Sequence, residues 1–209
     1  MQTRVHTPRR RRLAVLATVV AALTITGATT VDANRGQPDH EVPIHGTFEG
    51  VDKGVPVLDE TDRCFGLGNE DGFYQIHYTS TGTAHVSHLG RVEMTVDHCT
   101  WVDDPFGPTH GSFGDGAMVM TAANGDVLVL EHWGTFVFEG PYSIVDQHWQ
   151  IVDMFPFGPG VEDDVYSTGR FAGATGSGTG DPISNLIEGT IAGSMSGMIA
   201  YDASNRADR

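Results

Sequence analysis

Ten histidines are spread along this chain, and their neighbours decide which of them can do chemistry. His88 stands out because it shares the alternate positions of Ala84, Val86, Val92 and Met94 when Thr83 to Asp97 is read as one strand. An imidazole on such an apolar face needs a hydrogen-bond partner. It serves either as a core histidine satisfied by a backbone carbonyl, or as a ligand contact or acid/base group with Met94 beside it. His85 and His88 are spaced like a metal pair, but strand positions three apart point to opposite faces, so they do not chelate one ion together.

A second constellation lies in the run from Val127 to Phe138, which is apolar on both faces around Glu131 and His132. One of these two must lie near the interior. Glu131 shares its parity with Val127, Val129, Trp133 and Val137, and His132 shares its own with Leu128, Leu130, Phe136 and Phe138, so the pattern leaves both open. A carboxylate among apolar side chains would have a raised pKa and act as a general acid, with Trp133 as an aromatic wall. An interior salt bridge or a place at a barrel mouth explains the same residues without any function.

Other chemistries find no support. Gly193 to Gly197 fits a nucleophile elbow only with Ser196 forced off centre, which speaks against a serine hydrolase. The glycine-rich segment Gly173 to Gly180 follows a strand and opens no helix, so it reads as a barrel turn and not as a phosphate loop. Asp103-Asp104 and Glu162-Asp163-Asp164 lack an EF-hand pattern. No metal site and no cofactor is expected.

The elements that position these residues are strands. Hydrophobic alternation has period two almost everywhere, and no stretch keeps helical spacing for three turns. Expected strands are 44–51, 73–80, 83–97, 116–122, 127–138, 146–153, 166–172 and 186–201. Asn124-Gly125-Asp126 is a tight hairpin signal, Gly140-Pro141 and Asp181-Pro182 mark turns, and Asp103 to Pro108 reads as a longer loop. In 186–201 the odd positions Ile187, Gly189, Ile191, Gly193, Met195, Gly197, Ile199 and Tyr201 form one face, whose repeated glycines suit a coiled strand or a close backbone approach. About eight long antiparallel strands favour a closed barrel, which removes exposed edges; a β-sandwich is the alternative.

The N-terminus carries Arg4 and Arg9 to Arg12, followed by the apolar stretch Leu13 to Ala28, the order of a signal peptide. That stretch is short and threonine-interrupted for a stable membrane span. Cleavage is expected after Ala33, followed by a loose arm over 34–43, a barrel domain over 44–202 and a disordered tail over 203–209. Of 12 basic and 27 acidic residues, five basic and one acidic precede Asn34, leaving 7 and 26 and a formal charge of −19. Nucleic acid is excluded as a partner, because phosphate binding needs clustered Lys and Arg. The two cysteines, Cys64 and Cys99, both fall in the exported part and read as one disulfide.

Three segments together carry a family resemblance: Thr83 to Arg91, Ser167-Thr168-Gly169-Arg170-Phe171-Ala172-Gly173-Ala174-Thr175-Gly176, and Gly189-Thr190-Ile191-Ala192-Gly193. They resemble bacterial exported proteins of the allene oxide cyclase barrel-like group, to which the plant dirigent proteins are distantly related. Tyr166-Ser167 stand where that group usually shows two glycines. The resemblance implies an eight-stranded antiparallel barrel with an apolar cavity, and no catalytic residue of the group maps onto this chain. The resulting expectation is a secreted barrel that binds a small apolar molecule through His88, Met94, Glu131, His132 and Trp133. A cyclase or isomerase using the interior His or Glu, and a filled structural barrel, are the alternatives. Oligomers are compatible with Leu89 and the valines on the strand faces.

Overall fold

A computed structural model describes residues 41–67, 74–156 and 164–202. The expected signal peptide, most of the arm, the 203–209 tail and the acids Glu162 and Asp163 lie outside these residues.

The long strands are β1 (Glu41–Pro56), β2 (Tyr74–Val86), β3 (Gly90–Val102), β4 (His110–Ala122), β5 (Val127–Glu139) and β6 (Tyr142–Ile151). A short hairpin, β7 (Met154–Phe155) with β8 (Val165–Tyr166), follows, then a 3₁₀ turn at Gly169–Phe171, then β9 (Thr175–Gly180), β10 (Ile183–Asn185) and β11 (Thr190–Ala200). Neighbours pair antiparallel in the order β1-β2-β3-β4-β5-β6, with β9 and β10 both bridging β6 to β11, and β11 pairs back to β1. Asp181 and Pro182 break one stave into β9 and β10, so the closed barrel has eight staves. Closure leaves no main-sheet edge for another chain to extend.

Alternation sets the interior. Even positions of β1, β2, β3 and β5 point inward, as do odd positions of β6 and β11, giving a core of Ile44, Phe48, Ala84, Val92, Met94, Leu128, Leu130, Trp149, Met195 and Ile199. The expected odd face of the last strand is the inner one. Gly178 and Gly197 flank Trp149 so closely that a Cβ on either would meet its indole, so these glycines make room for the ring that, with Ile44, Ile199 and Phe171, fills one end of the barrel. Outside, β7 and β8 lay Phe155 and Val165 over Ala117, Val127 and Val129. That cover explains why β5 is apolar on both faces near its start.

Several boundaries differ from the sequence reading. The segment 83–97 is two strands, because Ser87, His88 and Leu89 form the β2–β3 turn, with His88 at φ 69° and Gly90 at φ 78°. Val86 pairs directly with Gly90, so the even parity runs through the turn unchanged and conceals it. The glycine-rich segment expected to be a turn is mostly strand β9, and the expected strand 166–172 holds the last residue of β8 and the 3₁₀ turn. β1 opens at Glu41, so the last three residues of the expected arm pair with Ala200, Ile199 and Met198. The hairpin at Asn124-Gly125-Asp126 and the loop at Asp103 to Pro108 form where expected.

Cys64 and Cys99 are joined, with Cα atoms 5.4 Å apart. The bond ties the 57–67 segment to the outer face of β3. There Arg63 Nε donates to Asp97 at 2.6 Å, and His77 lies between Asp62 and Asp97 at 3.2 and 2.9 Å. Asp62, Cys64 and His77 converge, but the Cys64 sulfur is spent in the disulfide and is not free to bind metal. Among the described residues no helix is long and apolar enough to cross a membrane.

Candidate functional site

A cavity of about 70 Å³ lies inside the barrel, away from the Trp149 end. Its walls are mostly apolar, with Met94, Val96, Met118, Phe113 and Phe136 prominent. Two polar groups interrupt them.

The first is built on β3, β5 and β6. His98 and His132 pack with ring centroids 5.0 Å apart, edge to face, and Phe113 lies 5.0 and 5.4 Å from the two rings. Tyr78 stacks on the other side of His98 at 5.7 Å. Gln147 Nε2 donates to His132 Nδ1 at 3.0 Å. A neutral imidazole that accepts at Nδ1 carries its proton on Nε2. That Nε2, together with His98 Nδ1 and Gln147 Oε1, is sealed from solvent and has no hydrogen-bond partner. Burial pushes the His132 pKa down to about 4, opposed by the Asp97 carboxylate and aided by Arg63, and burial pushes that of His98 well below its ordinary value, with His132, Arg63 and His77 acting in the same direction. Both rings are therefore neutral at physiological pH.

The second group is built on β1, β2 and β10. Asp52 accepts from Ser80 Oγ at 2.7 Å and from Ser184 Oγ at 2.9 Å. Asp52 and Ser80 are direct cross-strand partners. Tyr78 joins the two groups: burial first, and the Asp52 carboxylate second, hold its hydroxyl up to about 12. With eight staves, β1 and β5 lie on opposite sides of the barrel, so Asp52 and His132 approach the cavity from facing walls.

Asp52, Tyr78, Val102, Phe138 and Leu186 also line an outer vestibule of about 350 Å³, bordered by Pro105 and Pro108. The loop carrying those prolines is held by Asp103, which accepts from Thr109 Oγ1 at 2.6 Å and from its N–H at 2.9 Å. These bonds, the Thr109 hydroxyl first among them, keep the Asp103 carboxyl well below the usual carboxylate range against the opposing effect of desolvation.

The residues singled out from the sequence fall in different places. His132 and Met94 line the cavity. Glu131 points outward and accepts from Gln150 Nε2 at 2.5 Å, and Trp133 lies on the outer wall stacked on His148 at 6.2 Å. His88 is exposed in its turn, its Nε2 3.0 Å from the Pro43 carbonyl and its ring 5.9 Å from Tyr201. The three do not reach the cavity.

His98, Asp52, Tyr78 and Gln147 were not singled out. Alternation held the signal for each. His98 continues the parity of Val92, Met94 and Val96 one residue beyond the expected strand end at Asp97, and Asp52 continues that of Ile44, Gly46, Phe48 and Gly50 one residue beyond Val51. Gln147 is the one amide between Val145 and Trp149 on the inner face of β6.

No family model, no curated protein and no solved structure matches the chain. The eight-stave antiparallel barrel agrees with the fold that the resemblance implied, and the fold is as far as the agreement reaches.

Proposed function

We propose that this protein is an exported barrel that takes up a small, largely apolar molecule carrying hydrogen-bonding groups. The observation that carries this reading is the set of three unpartnered polar atoms on His98, His132 and Gln147, three residues that line one apolar cavity. Buried polar groups are almost always paired, and each one left unpaired costs about 1–3 kcal/mol. A barrel selected only to be filled by its own side chains gains nothing from three such groups. A ligand that accepts from His132 Nε2–H and donates to Gln147 Oε1 satisfies two of them, and one further polar group on it would meet His98 Nδ1. Ordered water is the competing occupant, since a polar site of this size admits it.

Export rests on the basic and apolar order of residues 1–33, with the Cys64–Cys99 bond in keeping with an oxidising compartment.

The test is native mass spectrometry of protein purified from its own host, with organic extraction of whatever co-purifies and thermal-shift screening against a lipophilic compound set. A stoichiometric small molecule is expected. A clean apo mass with no shift across the set would leave the cavity to water and favour a structural barrel.

The neutral imidazole pair favours a second reading, an isomerase that moves a proton within the bound molecule. One imidazole would accept the proton while the other donates to the oxygen where charge develops. Turnover of an extracted ligand by wild type, lost in H98A or H132A barrels that still fold and still bind it, separates this reading from simple binding.

A further inference from the structure

We infer that the molecule taken up is a small organic cation, an amine whose ammonium rests on Asp52 at the cavity entrance while its apolar body lies between Asp52 and the His98–His132 wall. The inference rests on the proposed uptake of a ligand and adds its charge.

Among the residues lining the cavity, Asp52 alone belongs to the acidic or strongly basic types; no Lys or Arg accompanies it. Its two oxygens each accept one serine hydroxyl. A carboxylate offers about four acceptor positions, so room remains for further donors. Those serines are neutral and leave the negative charge uncompensated, although it borders an apolar space where charge is costly without a partner. The imidazoles across the cavity do not supply a cation, because both are neutral. Asp52 is also the carboxylate shared by cavity and vestibule, so an entering molecule meets it first.

The wider field acts in the same direction. The chain has a formal net charge of −15, which raises the local concentration of cations and repels anions. An anionic ligand would set like charge against Asp52, whereas a neutral hydroxyl would donate to it, as Ser80 and Ser184 do, without balancing its charge. An amine gains a charge-assisted hydrogen bond, and its remaining body meets Phe113, Phe136 and Met94.

The experiment compares three probes with one body and three charges: benzylamine, benzyl alcohol and benzoate, titrated calorimetrically at pH 7.5 and low salt into the purified protein and into D52N. Wild type is expected to bind benzylamine at least tenfold tighter than benzyl alcohol, with benzoate weakest. D52N is expected to bring the amine down to the level of the alcohol. Equal binding of amine and alcohol by wild type, or an amine affinity unmoved in D52N, overturns the cationic ligand and leaves uptake standing. If none of the three binds, both readings fall for ligands of this size. The wild-type series decides even if D52N fails to fold, a point checked by circular dichroism.

Discussion

Gln147 Nε2 sits 3.0 Å from His132 Nδ1, and this one bond fixes which nitrogen of the buried imidazole holds the proton. The Nε2–H tautomer of His132 is expected to dominate across neutral pH, and ¹⁵N correlation spectra of the imidazoles check it. In Q147L the tautomer preference should weaken without loss of the barrel.

The same histidine makes stability depend on pH in a defined window. The folded-state pKa of His132, about 4, lies below its ordinary value of 6.5, so between these values the unfolded chain binds more protons. The contribution is fully present above about pH 6.5 and is lost as pH falls toward about 4. The His132 shift corresponds to about 3 kcal/mol, and His98 acts in the same direction. Urea unfolding at pH 7.5, 5.5 and 4 is expected to show this decline, and H132Q should flatten it. The lowered carboxyls of Asp103 and Asp181 lose their partners' benefit only below the ordinary carboxylate range, so the two effects separate.

Replacing Gly178 or Gly197 with alanine would drive a methyl group into the Trp149 indole and the backbone of the adjoining stave. Each substitution is expected to cost about 2 kcal/mol, typical of overpacking in a filled core. G107A, in a loop with open space around it, should change stability by less than about 0.5 kcal/mol. Chemical denaturation of the three variants makes the comparison.

The Cys64–Cys99 bond closes a loop with a sequence separation of 35, for which chain entropy gives about 3 to 4 kcal/mol. Reduction, or the C64A/C99A pair, is expected to lower the urea midpoint accordingly. Raised proteolysis of the 57–67 segment should accompany it, because between its anchored ends at Val57 and Leu67 the segment is then held to the barrel through the side chains of Asp62 and Arg63.

Asp126 binds Arg170 at 3.2 Å where both are mostly buried, linking the β4–β5 turn to the 3₁₀ turn before β9. D126A leaves a guanidinium in poor solvent and is expected to cost about 3 kcal/mol. The D126A/R170M double variant should be the less destabilised, because the stranded charge is gone. A double-mutant cycle in urea measures the difference.

How far the sequence discloses this molecule follows from what alternation encodes. Period two located the inner face of β2, β3 and β11, and the Asn124-Gly125-Asp126 turn located a hairpin, because both signals are local. Strand ends were less legible. The inward run of β1 reaches a polar residue at Asp52 and that of β3 at His98 and Thr100, where a hydrophobic pattern stops reporting although the strand continues, in β3 as far as the buried Val102. His88 misled because a three-residue turn keeps parity on both sides. β9 was hidden because its inward glycines are small to accommodate Trp149 from β6, a demand set by a stave distant in sequence. Glu131 and His132 were separable only once β7 and β8 were seen to cover Val129 and relieve the outer face of its apparent inwardness.

Pairing slips by one residue around Gly114 and Asp115, where Asp115 takes φ 45°. Before the slip Gly111 and Phe113 face inward; after it Gly116, Met118 and Met120 do. This stave is therefore read in two frames, odd and then even. Deleting Asp115 would restore a single frame with Gly111, Phe113, Gly116, Met118 and Met120 all still inward, at the cost of the extra residue that bends the stave at this point. The space beside His132 exists because the even frame sets Gly116 there: a side chain at that position would meet both His98 and His132. One inserted residue thus acts as punctuation for the whole wall, and homologous chains that keep it should keep a glycine immediately after it.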